Sequence, residues 1–521
     1  VNQFNNRKSM KKLFTLLVSA MVATASFATD YTDNLKISIN GIQMSSSEST
    51  IQLTANDDGT YKFALNNFSF NGMPIGNIVL DNVAPTKHDG VTALKSTQDV
   101  TLMLGIVPVS LMAEVTDSKM YAIIDVYVEA MKQNVHVVFG NNDGLGYQLK
   151  NSGFEDWHTA TMSSFMGTAS GAEPNNWHDM LSCSSDNPVI GYLAAYNPFV
   201  FKTDTVRPGS TGKHAALLRS FEIYGIVANG TITSGRLNAG PTDAADHSNH
   251  AYLDMSKTDK DNNSDPFYQT VNGTPDSVAV WMAFKQGTPN ATYPHATLSA
   301  ALTDGTYYQD PDTLSYSNVR ALAKDTTITT TFTTGLPVWK RVVVPFKMID
   351  SNVEGKAMLL TMATNANPGK GSTDTLYVDD LSLIYNMPAV SNITYKGSTI
   401  SGFSAATTRY TLSGDAVISL DDIDVTTTGA NGARVYKEMR QNGDNAVVTV
   451  SVYSGDLANS LVYTLTFTGA TTGVKAVEVN DAKTTNAPVQ IYTVNGQRVN
   501  NMLPGQVYIL KKGNKTIKVV K

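Results

Sequence analysis

The sequence predicts an all-β chain of several domains, and three observations carry that reading. Apolar and polar residues alternate with period two over most of the chain, as in Leu35, Ile37, Ile39 and again in Tyr61, Phe63, Leu65. Turn formers such as Asp57-Asp58-Gly59 and Asn495-Gly496 punctuate those runs. The length of 521 residues, at about 150 per domain, implies three or four separate cores. Composition narrows the function. Lys and Arg total 39 against 45 Asp and Glu, a net charge of −6, so no basic surface invites nucleic acid. The single cysteine, Cys183, excludes a disulfide framework and a cysteine-based zinc centre.

The N-terminus reads as an address. Met10-Lys11-Lys12, the apolar run 13–25 and Ser26-Phe27-Ala28 have the three parts of a secretory signal peptide over residues 1–28, with 1–9 lying upstream of the true start at Met10. The run is too short for a ~20-residue membrane helix, and the expectation is an exported protein with no transmembrane span. Its expected location is extracellular or on the outer-membrane surface, with the periplasm as the alternative. Cleavage removes Arg7, Lys8, Lys11 and Lys12 and no acid, which moves the net charge from −6 to −10.

Residues 29–145 form the first domain. Runs at 35–39, 61–65, 75–80, 100–111, 121–128 and 135–139 belong to about eight strands with short turns, the number that closes a small barrel. The strands Met120-Tyr121-Ala122-Ile123-Ile124-Asp125-Val126 and Val135-His136-Val137-Val138-Phe139 end a succession that resembles the calycin-like, lipocalin-type barrels of secreted gut-bacterial proteins. Such a barrel either encloses one small apolar ligand or is filled by its own side chains, and the filled core is the favoured expectation.

The second domain, residues 146–386, lies between two brackets, Asn151-Ser152-Gly153-Phe154-Glu155-Asp156-Trp157 and Tyr377-Val378-Asp379-Asp380-Leu381-Ser382-Leu383. An N-x-G-F-E-x-W opening strand and a closing V-D-D-L-S-L strand resemble jelly-roll carbohydrate-binding modules, and more closely the carbohydrate-metabolism domain of similar secreted proteins. Core strands are expected at 213–219, 275–284 and 339–346, with long binding loops such as 238–256 between them. Residues 387–470 carry Ile400-Ser401-Gly402-Phe403-Ser404 and Thr408-Arg409-Tyr410-Thr411-Leu412, which resemble cadherin-like, immunoglobulin-type sandwiches. Residues 471–521 hold Ile491-Tyr492-Thr493-Val494-Asn495-Gly496-Gln497-Arg498-Val499 and Pro504-Gly505-Gln506-Val507-Tyr508-Ile509-Leu510-Lys511, which resemble the C-terminal sorting domain of type IX secretion substrates.

The carbohydrate-module resemblance implies a structural calcium ion held by Glu155 with Asp379 or Asp380, which would staple the two chain ends of the sandwich together. Asp259, Asp261 and Asp265 offer a second candidate. They sit in Asp259-Lys260-Asp261-Asn262-Asn263-Ser264-Asp265, which has D-x-D-x-N spacing but has Ser264 where a calcium loop has glycine and Thr270 where it has glutamate. His247 and His250 are a weak zinc pair.

Glycan recognition requires aromatic planes outside the core. Trp281 and Trp339 stand within strand patterns and are expected in the core; Trp157 is expected to be half-buried. Trp177, in Glu173-Pro174-Asn175-Asn176-Trp177-His178-Asp179, has no periodic apolar neighbours and is the leading contact candidate, followed by Tyr293, Tyr307, Tyr308 and Tyr316. No catalytic signature accompanies the acids: there is no H-E-x-x-H and no G-x-S-x-G, and 207–214 fails as a phosphate loop at Arg207 and His214. The reading is a secreted, monomeric glycan-recognition protein that is not itself an enzyme. The alternatives are a glycan-degrading enzyme and a surface adhesion scaffold.

Overall fold

The structure is a computed structural model. It describes residues 28–39, 42–70, 73–88, 91–103, 105–128, 133–223, 225–311, 316–472, 490–493, 498–499, 507–512 and 515–520. Apart from Ala28, the predicted signal peptide lies outside the described residues, as do the turns at Asn495-Gly496, Leu503-Pro504-Gly505 and Gly513-Asn514. The chain divides into two compact units, Val1–Tyr385 and Asn386–Lys521.

The first unit opens with nine strands: β1 (Ala28–Ile39), β2 (Ile42–Ala55), β3 (Tyr61–Phe70), β4 (Met73–Val83), β5 (Pro85–His88), β6 (Val91–Leu102), β7 (Gly105–Val115), β8 (Met120–Val128) and β9 (Gln133–Phe139). They form one sheet in the order β4-β3-β2-β1-β9-β8-β7-β6-β5. The seam between β4 and β6 is bridged rather than laddered. The Met103 N–H donates to the Ile75 carbonyl at 2.9 Å. The Gln98 amide donates to the Asp81 carbonyl at 2.6 Å and accepts from the Asp81 N–H at 3.2 Å. These bonds bring the sheet to near closure as a barrel. The period-two residues point inward, and Leu35, Ile51, Phe63, Ile78, Ile124 and Phe139 are buried in one apolar cluster. The run expected over 100–111 is in fact two strands. Gly105, at φ 101°, turns the chain between them in a conformation open to glycine.

Beyond the barrel, eight strands divide between two sheets. In chain order they are Ala215–Arg219, Thr231–Thr233, Ser277–Lys285, His295–Thr303, Val319–Thr329, Lys340–Pro345, Ala357–Ala363 and Thr375–Ile384. One sheet orders the first, eighth, third and sixth; the other orders the second, seventh, fourth and fifth. That arrangement is a jelly roll, with Val280, Met282 and Phe284 of one sheet and Leu298, Ala300, Met358 and Leu360 of the other buried between the layers.

The opening bracket is not a strand. Asn151 and Phe154 have φ of 48° and 55°, and the Asn151 side chain accepts from the N–H groups of Glu155 and Asp156, so the N-x-G-F-E segment is a turn and the strand begins at Trp157. The helix Pro188–Tyr196 was not foreseen. Its signal was present in Asn187, which caps the N–H groups of Val189 and Ile190, followed by Pro188 in the first turn. Tyr147 ties barrel to jelly roll, donating to Glu114 of β7 at 2.6 Å while its carbonyl accepts from Tyr385 at 3.0 Å.

In the second unit, a three-stranded sheet containing Ala389–Tyr395 and Ile423–Thr428 and a four-stranded sheet containing Asn445–Tyr453 and Ser460–Phe467 bury Ile393, Val448, Val450 and Leu465, as an immunoglobulin-like sandwich does. Gln490–Thr493, Arg498–Val499, Val507–Lys512 and Lys515–Val520 form a small antiparallel sheet.

Candidate ligand-binding groove

Alternation within the second jelly-roll sheet builds a groove on its outward face. Ala296, Leu298 and Ala300 point into the core, so Thr297 and Ser299 point out, beside Thr361 and Thr231 of the neighbouring strands. The helix Pro188–Tyr196 supplies an apolar wall through Ile190, Leu193 and Ala194, and the 239–250 segment supplies the opposite one. The enclosed volume is about 460 Å³, within the range of small-ligand sites.

Polar groups line this apolar frame. Asp310 forms an ion pair with Lys324 at 3.4 Å. Asn229 donates to the Asn365 carbonyl at 2.8 Å, while its own amide oxygen is buried without a hydrogen-bond partner. Such an acceptor is costly to leave unmade. Burial pulls the His250 imidazole below its ordinary pKa, which keeps it neutral at pH 7. The Tyr307 hydroxyl lies 3.4 Å from His250 Nε2 and donates to Gln309 at 2.9 Å. With 48% exposure, the Tyr307 ring stands free beside this lining residue, packed against Tyr252 and Tyr316 at 5.9 and 6.4 Å.

The predicted aromatic contacts divide sharply. Tyr307 is exposed, Tyr316 and Tyr293 are half-buried, and Tyr308 is buried at 5.2 Å from Tyr316. The Tyr293 carbonyl accepts from Asn365 of the groove lining. Trp177 corrects the sequence reading: it is fully buried, 5.3 Å from Phe154, with its indole N–H donating to the Lys150 carbonyl. Polar neighbours in sequence did not prevent burial, because the Asn151 and Asn176 turns fold the apolar Phe154 over it. No sugar can stack on a ring with both faces covered. Trp281 and Trp339 correct it in the opposite sense. Val280 and Met282 take the inward positions, so Trp281 is half-buried on the outward face of the first sheet, beneath the Arg207 guanidinium at 5.1 Å. Trp339 is also half-buried and packs edge-on against Tyr377 at 6.1 Å. The aromatic surface missed from sequence is this one, and strict period-two counting around Val280 would have found it.

The expected calcium ligands are met by neighbouring donors. Glu155 accepts from the backbone N–H groups of Lys213 and His214 at 3.0 and 3.1 Å. Asp380 pairs with Arg207 at 2.6 Å, and one oxygen of Asp379 accepts from the Arg207 N–H at 2.9 Å while the other is buried without a hydrogen-bond partner. The Arg207 guanidinium supplies positive charge beside Asp380. Burial pushes the Asp379 carboxyl up to about 6, the Arg207 N–H opposing. The 259–265 loop is not a calcium loop. Asp261 is exposed, Asp265 accepts from Asn176 and Asn263, and Asp259 turns inward toward His158 and Glu173. Its side chains diverge because the loop closes on itself through the Asp259 N–H and the Asp265 carbonyl at 2.7 Å.

Comparison with known proteins locates the similarity in the barrel. Residues 27–142 match the family model of the calycin-like beta-barrel domain. No curated protein matches the chain. Among solved structures, a candidate glycoside hydrolase from Bacteroides thetaiotaomicron aligns at 12% identity and a TM-score of 0.31, covering 58% of this chain and 93% of that one. A candidate outer membrane protein from Bacteroides fragilis aligns at 8% identity and a TM-score of 0.17, covering 65% and 97%. Likeness at this level leaves function to the residues themselves. What the family match and the nearly closed β-sheet establish together is that the N-terminal domain of this chain is a calycin-like β-barrel.

Proposed function

We propose that the jelly-roll domain binds carbohydrate in the groove over its second sheet, and that the protein recognises glycan without cleaving it. The observation that carries this reading is the groove itself: a 460 Å³ cleft with an outward row of hydroxyl side chains, an unsatisfied Asn229 amide oxygen and Tyr307 beside His250. Apolar walls with a few convergent hydrogen-bonding groups suit the alternating CH faces and hydroxyls of a sugar. Two carboxylates line the groove. Asp310 is ion-paired with Lys324, and the Ser248 hydroxyl and N–H hold Asp246 below the usual range, which does not favour Asp246 as the proton-bearing acid that a glycosidase needs. The protein would act as an exported monomer whose barrel and immunoglobulin-like domain support the binding module.

The test is a glycan array probed with the mature protein, with calcium and again with a chelator, followed by titration of the hits. Defined hits weakened by Asn229→Ala and Tyr307→Ala support the reading. A blank array, or hits indifferent to both substitutions, overturns it, and release of reducing ends from a polysaccharide panel would make the protein an enzyme.

A further inference from the structure

Beneath the 259–265 loop, away from the groove, lies a cluster that the glycan reading does not use. The hairpin of Trp157–Ser164 and Gly167–Pro174 sets His158 directly opposite Glu173. Paired residues of an antiparallel ladder project side by side on one face, so imidazole and carboxylate meet by register alone. Asp259 approaches from the loop. One ligand atom from each of the three residues lies within 4.8 Å of the other two.

The hydrogen bonds around the cluster leave its centre unfilled. Glu173 is fully buried; its Oε1 accepts from the Asp179 N–H and the Ser182 hydroxyl, both at 2.7 Å. Its Oε2 is buried with no hydrogen-bond partner, 3.5 Å from His158 Nε2, which also has none. His158 Nδ1 lies 2.9 Å from the Asn175 side-chain oxygen and 3.1 Å from the Asn263 side-chain nitrogen. A hydrogen-bonded proton on Nε2 would draw the Glu173 oxygen to about 2.7–2.9 Å. At 3.5 Å the pair is too long for a hydrogen bond, but it is the spacing of two atoms that share one ion through bonds of about 2.0–2.2 Å in tetrahedral geometry. The Nδ1 contacts with Asn175 and Asn263 are outer contacts of the kind that orient a metal-binding histidine.

We propose that His158, Glu173 and Asp259 hold a divalent transition-metal ion of the zinc class. One imidazole with two carboxylates favours zinc or manganese over calcium, which prefers an all-oxygen shell. The ion would fasten the loop to the hairpin, joining two segments about 100 residues apart in sequence that otherwise meet here through Asn262, Asn263 and Asp265.

The experiment uses the full mature chain, stripped with chelator and titrated calorimetrically with zinc, manganese and calcium chloride, with metal content measured after dialysis. The expected result is one equivalent of zinc or manganese, a rise in melting temperature on loading, and at least ten-fold weaker binding in His158→Asn and in Asp259→Asn. Glu173→Gln is the more disruptive variant, so the two less buried substitutions, checked for folding by circular dichroism, carry the test. Absence of saturable binding, binding of calcium alone, or zinc affinity unchanged in both variants overturns the proposal. Glycan binding by the stripped protein is scored separately, so either reading can fail alone.

Discussion

In the barrel, the residues enclosed by the sheet are Leu35, Ile51, Phe63, Ile78, Ile124, Phe139 and similar apolar side chains, and its buried polar residues, Ser110 and Glu114, lie at outward positions of β7. In the jelly roll, by contrast, Glu173, His178, Asp179, Asp259, Asp276, Asp374 and Asp379 are all buried. Burial would raise Glu173, yet the histidines beside it and the Asp179 N–H leave it lowered; burial, then the Glu173 charge, pushes Asp179 well above the carboxylate range. Burying ionisable groups costs several kcal/mol each unless they are paired, so a domain that concentrates them gives up stability that the barrel keeps. The difference teaches where to look: the barrel encloses apolar side chains, and the buried ionisable groups are concentrated in the jelly roll.

The largest expected effect tests that division. Phe63→Ala should lower stability by about 3–5 kcal/mol in denaturant titration while glycan affinity stays unchanged. Trp177→Ala should lose a similar amount, because its ring is as fully enclosed. Loss of glycan binding by Trp177→Ala at unaltered stability would contradict its burial.

Next comes pH. Asp379 titrates near 6 in the folded chain against an ordinary value of 3.8, so folding favours its neutral form. Its stabilising contribution is complete below about pH 4 and is lost as pH rises through 6, a fall of about 1–2 kcal/mol after allowing for solvent screening. Asp379→Asn should flatten that part of the stability profile, and an unchanged slope between pH 4 and 7 would refute the assignment. Tyr307→Ala should weaken glycan binding by about five-fold, roughly 1 kcal/mol, at an unchanged melting temperature. The smallest effect belongs to Gln98→Ala, which removes the bridge to Asp81 and should cost about 1 kcal/mol, with faster hydrogen exchange at β4. Exchange there equal to wild type would mean that the seam holds without it.

Strand content, the barrel's inward residues and the closing strand Thr375–Ile384 were legible in the sequence because period-two burial is a local rule that each strand obeys separately. The same rule failed where a turn replaced a strand. Asn151 and Phe154 look like part of an alternating run, but their left-handed backbone ends it, and Trp177 went to the core as a consequence. Trp281 differs for a simpler reason: its place inside the strand 277–285 suggests the core, but parity with Val280 and Met282 sends it outward.

By itself, then, the sequence determined the all-β class, the N-terminal barrel and which residues could serve as core, since these follow from pattern along each strand. Only the tertiary structure decided which tyrosine is exposed beside the groove, that Arg207 pairs with Asp380, and that ligand atoms of His158, Glu173 and Asp259 come together. Those outcomes depend on register between strands and on loops that meet across about 100 residues, and no local periodicity encodes either.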